Sequence, residues 1–377
     1  MKRTIFKALA IAGAVLFLAN CTPRESAEIS GSFDTLQKHF KEPPIDYSTA
    51  PFWVWNDKVT KEKIDRQLQL FKDENIDQVI IHPRPGLITP YLSAEWNELC
   101  DYVVEKAEQK NMKAWLYDEN SYPSGFAGGH VPAEMPESYN HGSSLDLKKV
   151  DELSDEHLDN SRIILKKQDG KYMNVTDKVE SGDTGEYYLF QIRPFPRNGW
   201  YGGFSYVDLI KPGVTEKFIE VTMEGYEQKL GDEFGGRVPG IFTDEPNIAP
   251  RGGRQTVKWT PTLFEDFEER WGYKLQPHLV SLFEETGDWR KIRHNYYGLL
   301  LELFIERWSK PWYKYTEENN LKWTGHYWEH GWPSPHHGGD NMAMYAWHQV
   351  PGIDMLFNTQ EERPDQFGNV RAVKELA

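Results

Sequence analysis

Cysteine is nearly absent. The 377 residues hold 2, Cys21 and Cys100, too few for a disulfide framework or a multi-cysteine metal site, so stability has to come from packing. Positive charge is also in deficit: the formal net charge is −15, which repels nucleic acid and anionic lipid, and no basic patch interleaved with aromatics reverses this. A glycine-rich phosphate-cradling loop follows none of the apolar segments. Long apolar runs are missing beyond the first residues, where Lys2, Arg3 and Lys7 precede an apolar stretch from Ala8 to Ala19. That stretch is shorter than the roughly 20 residues that span a bilayer and has the form of an export signal.

The stretch ends at Leu18-Ala19-Asn20-Cys21. This resembles the bacterial lipoprotein cleavage box, whose cysteine becomes the lipid-modified N-terminus, with an ordinary cleaved signal as the alternative. The chain is therefore read as a signal over 1–20, a polar spacer over 21–47 that starts at the lipidated Cys21, and a globular domain over 48–377. The expected location is the bacterial cell envelope, outer membrane or periplasm, with membrane contact through the anchor only.

What the sequence does have is aromatic residues, 14% of the chain with 14 tryptophans; such rings fill cores and also suit the apolar C–H faces of sugars. From Pro51 onward apolar segments alternate with amphipathic ones. Pro51 to Trp55 reads as a buried strand, Thr60 caps a helix with Ile64, Leu68 and Phe71 on one face, and Ile76 to Ile81 reads as a second strand. Ser93 caps a helix carrying Trp96, Leu99, Cys100, Val103 and Ala107, and Met112 to Tyr117 reads as a third strand. Over about 142–194 the rhythm gives way to short alternating segments and turn residues, which predicts a small antiparallel insertion. It resumes with a helix over 215–230, a strand over 240–243, long helical stretches over 261–320 and strands over 321–327 and 352–357. Six strands joined by helices, without a phosphate loop, predict a TIM-type (β/α) barrel rather than a doubly wound sheet. Eight strands close such a barrel, so six predict an incomplete one.

In a barrel the chemistry gathers where the strands end. The second strand runs into His82-Pro-Arg84, the third into Asp118-Glu119, the fourth into Asp244-Glu245-Pro246, and the fifth into His326-Tyr-Trp328-Glu329-His330. Cleavage of a glycosidic bond needs one carboxyl that is protonated and one that is ionised. Glu245 as general acid and Glu329 as base meet that need, with roles exchangeable. His82, Arg84, Asp118, Glu119, Asp244, His326, Trp328 and Asp340 are the candidates for holding substrate, although strand-end acids also cap helices and pair with arginine. His326-x-x-Glu329-His330 also matches an inverted zinc-peptidase pattern. That chemistry needs a helix, in which the histidines are about 6 Å apart, whereas an extended chain separates them by roughly 13 Å.

Pro51-Phe-Trp-Val-Trp-Asn56, His82-Pro-Arg-Pro-Gly86, Tyr91-Leu-Ser-Ala-Glu-Trp96, Trp115-Leu-Tyr-Asp-Glu119, Pro123-Ser-Gly-Phe-Ala-Gly-Gly129, Phe242-Thr-Asp-Glu-Pro246 and Gly339-Asp340 together resemble glycoside hydrolase family 106 in order and spacing. The resemblance implies an inverting α-L-rhamnosidase on a barrel, acting on plant or pectic glycans and in some members dependent on calcium. Inversion implies two carboxyl groups roughly 6.5–9.5 Å apart. The family's β-rich domains that follow the barrel have no counterpart before Ala377, which leaves a non-catalytic glycan-binding lipoprotein as an alternative.

Overall fold

The computed structural model describes residues 32–250, 256–328 and 334–354. The chain divides into two compact units, 1–48 and 49–377. Within the first, Ser32 caps helix α1 (Phe33–Lys41), its hydroxyl accepting the Thr35 N–H.

The second unit is built on six parallel strands: β1 (Phe52–Trp55), β2 (Gln78–Pro83), β3 (Lys113–Tyr117), β8 (Gly240–Thr243), β10 (Lys322–Gly325) and β11 (Val350–Pro351). They lie side by side in that order. Because each strand joins next to its predecessor, every crossover advances in one direction, and the right-handed rule then sends the helices to a single face. A closed barrel is not shown: among the described residues no pairing joins β1 to β11.

Helices α2 (Lys61–Asp73) and α3 (Ala94–Gln109) are capped by Thr60 and Ser93, whose hydroxyls accept the N–H groups of Lys63 and Trp96. Each cap satisfies an N–H that the helix cannot bond internally. Their apolar stripes join α6 (Val214–Leu230) over Trp53, Trp55, Val79, Ile81, Ala114, Leu116, Ile241 and Trp323 in one large core. The opposite sheet face carries Ile80, Tyr117 and Phe242 in a cluster of their own. Phe52 and Val54 on that face are 39% and 45% exposed. Strand β1, read from sequence as buried, is thus covered on one side only, because no crossover helix reaches the other.

The insertion is a five-stranded antiparallel sheet in the order β6-β5-β7-β4-β9. Its strands are β4 (Ser144–Glu152), β5 (Ser161–Gln168), β6 (Lys171–Asn174), β7 (Thr184–Arg193) and β9 (Thr256–Lys258). The short helix α4 (His130–Glu134) precedes it in sequence, and α5 (Asp155–Asn160) connects β4 to β5. The helical stretch expected over 261–320 is broken into α7 (Leu263–Trp271), a 3-10 segment, α8 (Trp289–Phe304), a π-helical turn and α9 (Lys310–Glu318). The sixth strand falls at Val350–Pro351, after α10 (Asn341–Tyr345), rather than at 352–357, of which 355–357 lie outside the described residues. No helix among the described residues is long and apolar enough to cross a membrane.

Candidate active site

The register of the parallel sheet brings the strand ends together. Tyr117 sits beside Phe242, and Thr243 beside Gly325, so the residues that follow β3, β8 and β10 emerge side by side. Backbone bonds continue the alignment: the Asp118 N–H donates to Phe242 O and the His326 N–H to Thr243 O, each at 3.1 Å. Below the mouth the rings form a row. His82 stacks on Tyr117 at 3.9 Å, Tyr117 on Phe242 at 5.7 Å, and His326 meets Phe242 edge-on at 4.9 Å.

Two carboxyl groups on neighbouring strands are driven in opposite directions. The Tyr117 hydroxyl donates to Asp244 Oδ2 at 2.6 Å, and His326 Nδ1 stands 3.6 Å from Oδ1. Burial raises the Asp244 pKa, but His326, Tyr117 and Arg84 overcome it and hold the carboxylate below its usual range. Asp118 is fully buried, and burial pushes its carboxyl well above that range. Ser124 Oγ donates to Asp118 Oδ1 at 2.6 Å and accepts the Asp244 N–H at 2.7 Å, while Asp118 Oδ2 has no hydrogen-bond partner. Neighbouring carboxyls whose environments push their pKa values apart are the arrangement that acid–base chemistry uses.

Glu119 is spent differently. Oε1 accepts the N–H groups of Asn120 and Gly128, and Oε2 those of Gly125, Phe126 and Ala127. Burial pushes its pKa up, to about 8, against the pull of those donors. Since both oxygens face only N–H groups, the geometry is that of the anion, and its task is to hold the 120–129 loop.

Glu245 is 4% exposed and takes the left-handed conformation at φ 43°. Its carbonyl accepts Trp328 Nε1 and Asn247 Nδ2, each at 3.1 Å. Ser121 and Ala127, in the loop opposite, are also left-handed at φ 100° and 51°; such strain concentrates where function over-determines the backbone. His82 is 1% exposed with neither ring nitrogen partnered, and burial, helped by Arg84, lowers its pKa to about 3. The structure therefore gathers His82, Arg84, Asp118, Asp244, Glu245, His326 and Trp328 around the strand ends. Asp340 does other work: it is exposed and caps α10, accepting the N–H groups of Met342 and Ala343. Glu329, His330 and Cys21 lie outside the described residues. The stretch from His326 to Trp328 is not helical, so the helix that a zinc peptidase requires does not begin there.

Tyr117, Ser124 and His348 were missed in the sequence. His348 is buried against Trp323 at 4.1 Å, and burial lowers its pKa to about 3. A glycine-rich run after Asp118-Glu119 was the one signal of the loop that holds Ser124. Among the described residues no group of three or more His, Cys, Asp or Glu side chains could hold a metal ion; Glu329 and His330 are not among those residues.

The fold resembles that of a rhamnosidase. The solved structure of the enzyme from Novosphingobium sp. PP1Y superposes with a TM-score of 0.57 at 14% identity, over 83% of this chain and 49% of that one. The chain thus spans about half the length of that rhamnosidase. No family model matches the sequence, and neither does any curated protein.

Proposed function

We propose that this chain is a glycoside hydrolase of the α-L-rhamnosidase type that removes terminal rhamnosyl groups from plant or pectic glycans with inversion. The observation that carries the reading is the meeting of strand-end carboxyls whose surroundings push them in opposite directions, Asp118 raised by burial and Asp244 lowered by His326 and Tyr117, beside Glu245 at one end of a sequentially ordered parallel sheet. The rhamnosidase-like fold supports it.

In the proposed reaction Glu245 gives its proton to the departing glycosidic oxygen as the anomeric C–O bond breaks. Glu329 takes a proton from the water that attacks the opposite face of the anomeric carbon. The ionised Asp244 would stabilise the positive charge that develops on the sugar ring. His82, with two unpartnered ring nitrogens, and Arg84 would hold sugar hydroxyls. The six strands are proposed as the first six of a (β/α) barrel, and the protein as exported and anchored through Cys21.

The test is turnover of p-nitrophenyl α-L-rhamnopyranoside by the purified protein and by Glu245→Gln. The expected loss in kcat is about 10²–10⁴-fold with binding retained. A folded protein with no turnover, or a variant as fast as its parent, overturns the assignment.

A further inference from the structure

Among the described tryptophans Trp200 alone is exposed. It presents 44% of its surface to solvent, yet it is not loose. Its Nε1–H donates to Tyr122 O at 2.5 Å, and its ring meets the Tyr122 ring edge-on at 5.7 Å. Asn198 accepts the Trp200 N–H at 2.9 Å, and the Asn198 N–H donates to Phe204 O, closing the short loop on itself. That loop is pressed against the one Glu119 holds: a Cβ on Gly202 would come within 2.5 Å of Gly128 O, so only glycine permits the approach. The Arg84 guanidinium also lies over the Tyr122 ring, at 5.5 Å. Arg84 follows β2 at the strand-end mouth, so contacts through Tyr122 link that mouth to the exposed Trp200.

An exposed indole with a pinned N–H has lost its side-chain freedom before any ligand arrives, so little ordering cost remains on binding. A flat apolar ring with polar neighbours matches one ligand chemistry well, a pyranose, whose C–H face is apolar and whose rim carries hydroxyls. We propose that Trp200, supported by Tyr122 and Arg84, is an outer binding platform for a pyranose ring of the oligosaccharide that extends beyond the bond to be cleaved. This deepens the glycoside hydrolase reading and rests on it. It places longer glycans, rather than isolated rhamnosides, as the ligands the site favours.

The experiment is calorimetric titration of the full protein with oligosaccharides cut from rhamnogalacturonan. Trp200→Ala and Trp200→Leu are each expected to weaken binding about tenfold or more, while Trp200→Phe, which keeps a flat ring, stays within about threefold of the parent. Thermal melting is read alongside, and because the side chain is exposed all three are expected to melt close to the parent. Equal affinity in the Ala and Leu variants, or a parent that binds no oligosaccharide at millimolar concentration, as expected if Trp200 serves a protein partner, overturns the platform. Binding that depends on Trp200 in a protein that cleaves neither the oligosaccharide nor the aryl rhamnoside sinks hydrolysis and leaves the platform standing.

Discussion

Lys258 Nζ lies 2.8 Å from Asp208 Oδ1, with both side chains 4% exposed, so an ion pair sealed from water ties β9 to the segment that leads into α6. The second oxygen of Asp208 has no hydrogen-bond partner. Removing the lysine strands a buried charge, which costs about 3–5 kcal/mol, whereas replacing both partners with apolar residues is often close to neutral. Lys258→Met is therefore expected to lower the urea midpoint sharply, and Lys258→Met with Asp208→Leu to recover most of it. Equal losses in the single and double variants would show that the two groups do not act as a pair.

Glu119→Gln tests the loop anchor. A glutamine offers one oxygen where the carboxylate offers two, and its NH₂ would face the N–H groups of Asn120 and Gly128 or those of Gly125, Phe126 and Ala127. With each lost charge-assisted bond worth roughly 1.5–3 kcal/mol, the expected outcome is a fall in stability of several kcal/mol. Hydrogen exchange over residues 120–129 should speed up well before global unfolding. Unchanged protection there would remove Glu119 from this role.

Acid should destabilise the protein through its buried histidines. In the fold His82 and His348 stay neutral, each with a pKa lowered from 6.5 to about 3 by burial. The unfolded chain takes up protons on both below about pH 6.5, so between there and about pH 3 it binds more protons than the fold and stability drops as pH falls. Asp118, whose pKa is raised, works in the opposite sense over its own window. The combined His82→Gln and His348→Gln variant should show a flatter decline from neutral pH to about pH 4 than the parent. An identical slope would rule out both imidazoles as its source.

Gly325 has φ 151°, and an added Cβ would run into the Thr243 carbonyl. It lies where β10 leaves the sheet for His326, so Gly325→Ala should force β8 and β10 apart, cost about 1–3 kcal/mol or more and misplace His326 relative to Asp244. A melting temperature equal to the parent's would mean that the strands tolerate the shift.

Much of this architecture is written in local pattern. Thr60 and Ser93 stand as caps because a hydroxyl before an apolar-periodic run has few other uses, and the crossovers between β1, β2 and β3 follow from the switch of period. Strand β4 is faint in sequence because its Lys148, Lys149, Asp151 and Glu152 blur the alternation, and β9 is three residues long. In the site, an acid at a strand end looks the same in sequence whether it ends up as Asp244, facing a histidine, or as Glu119, wrapped by backbone. The difference lies in N–H groups six to nine residues onward, whose direction no residue type encodes. The Ser124 link between Asp118 and Asp244 and the exposure of Trp200 likewise depend on loops whose course is set by tertiary packing.

The side-by-side order of the strands has a bearing on how the chain assembles as it emerges. β2 and β3 each pair with their predecessor across one helix, so an N-terminal block can close by short steps, which are entropically the cheapest. β8 must wait for the whole insertion, but the hairpins joining β5, β6 and β7 fold locally and draw the ends of that detour together. Only then does β9, arriving just after β8, pair with β4. One stretch of chain, running from Gly240 to Lys258, thus adds a strand to each sheet, β9 finishing the antiparallel one and β8 giving β10 the edge it pairs with, and a nascent chain stopped short of it would present an unfinished edge in each to the quality-control machinery.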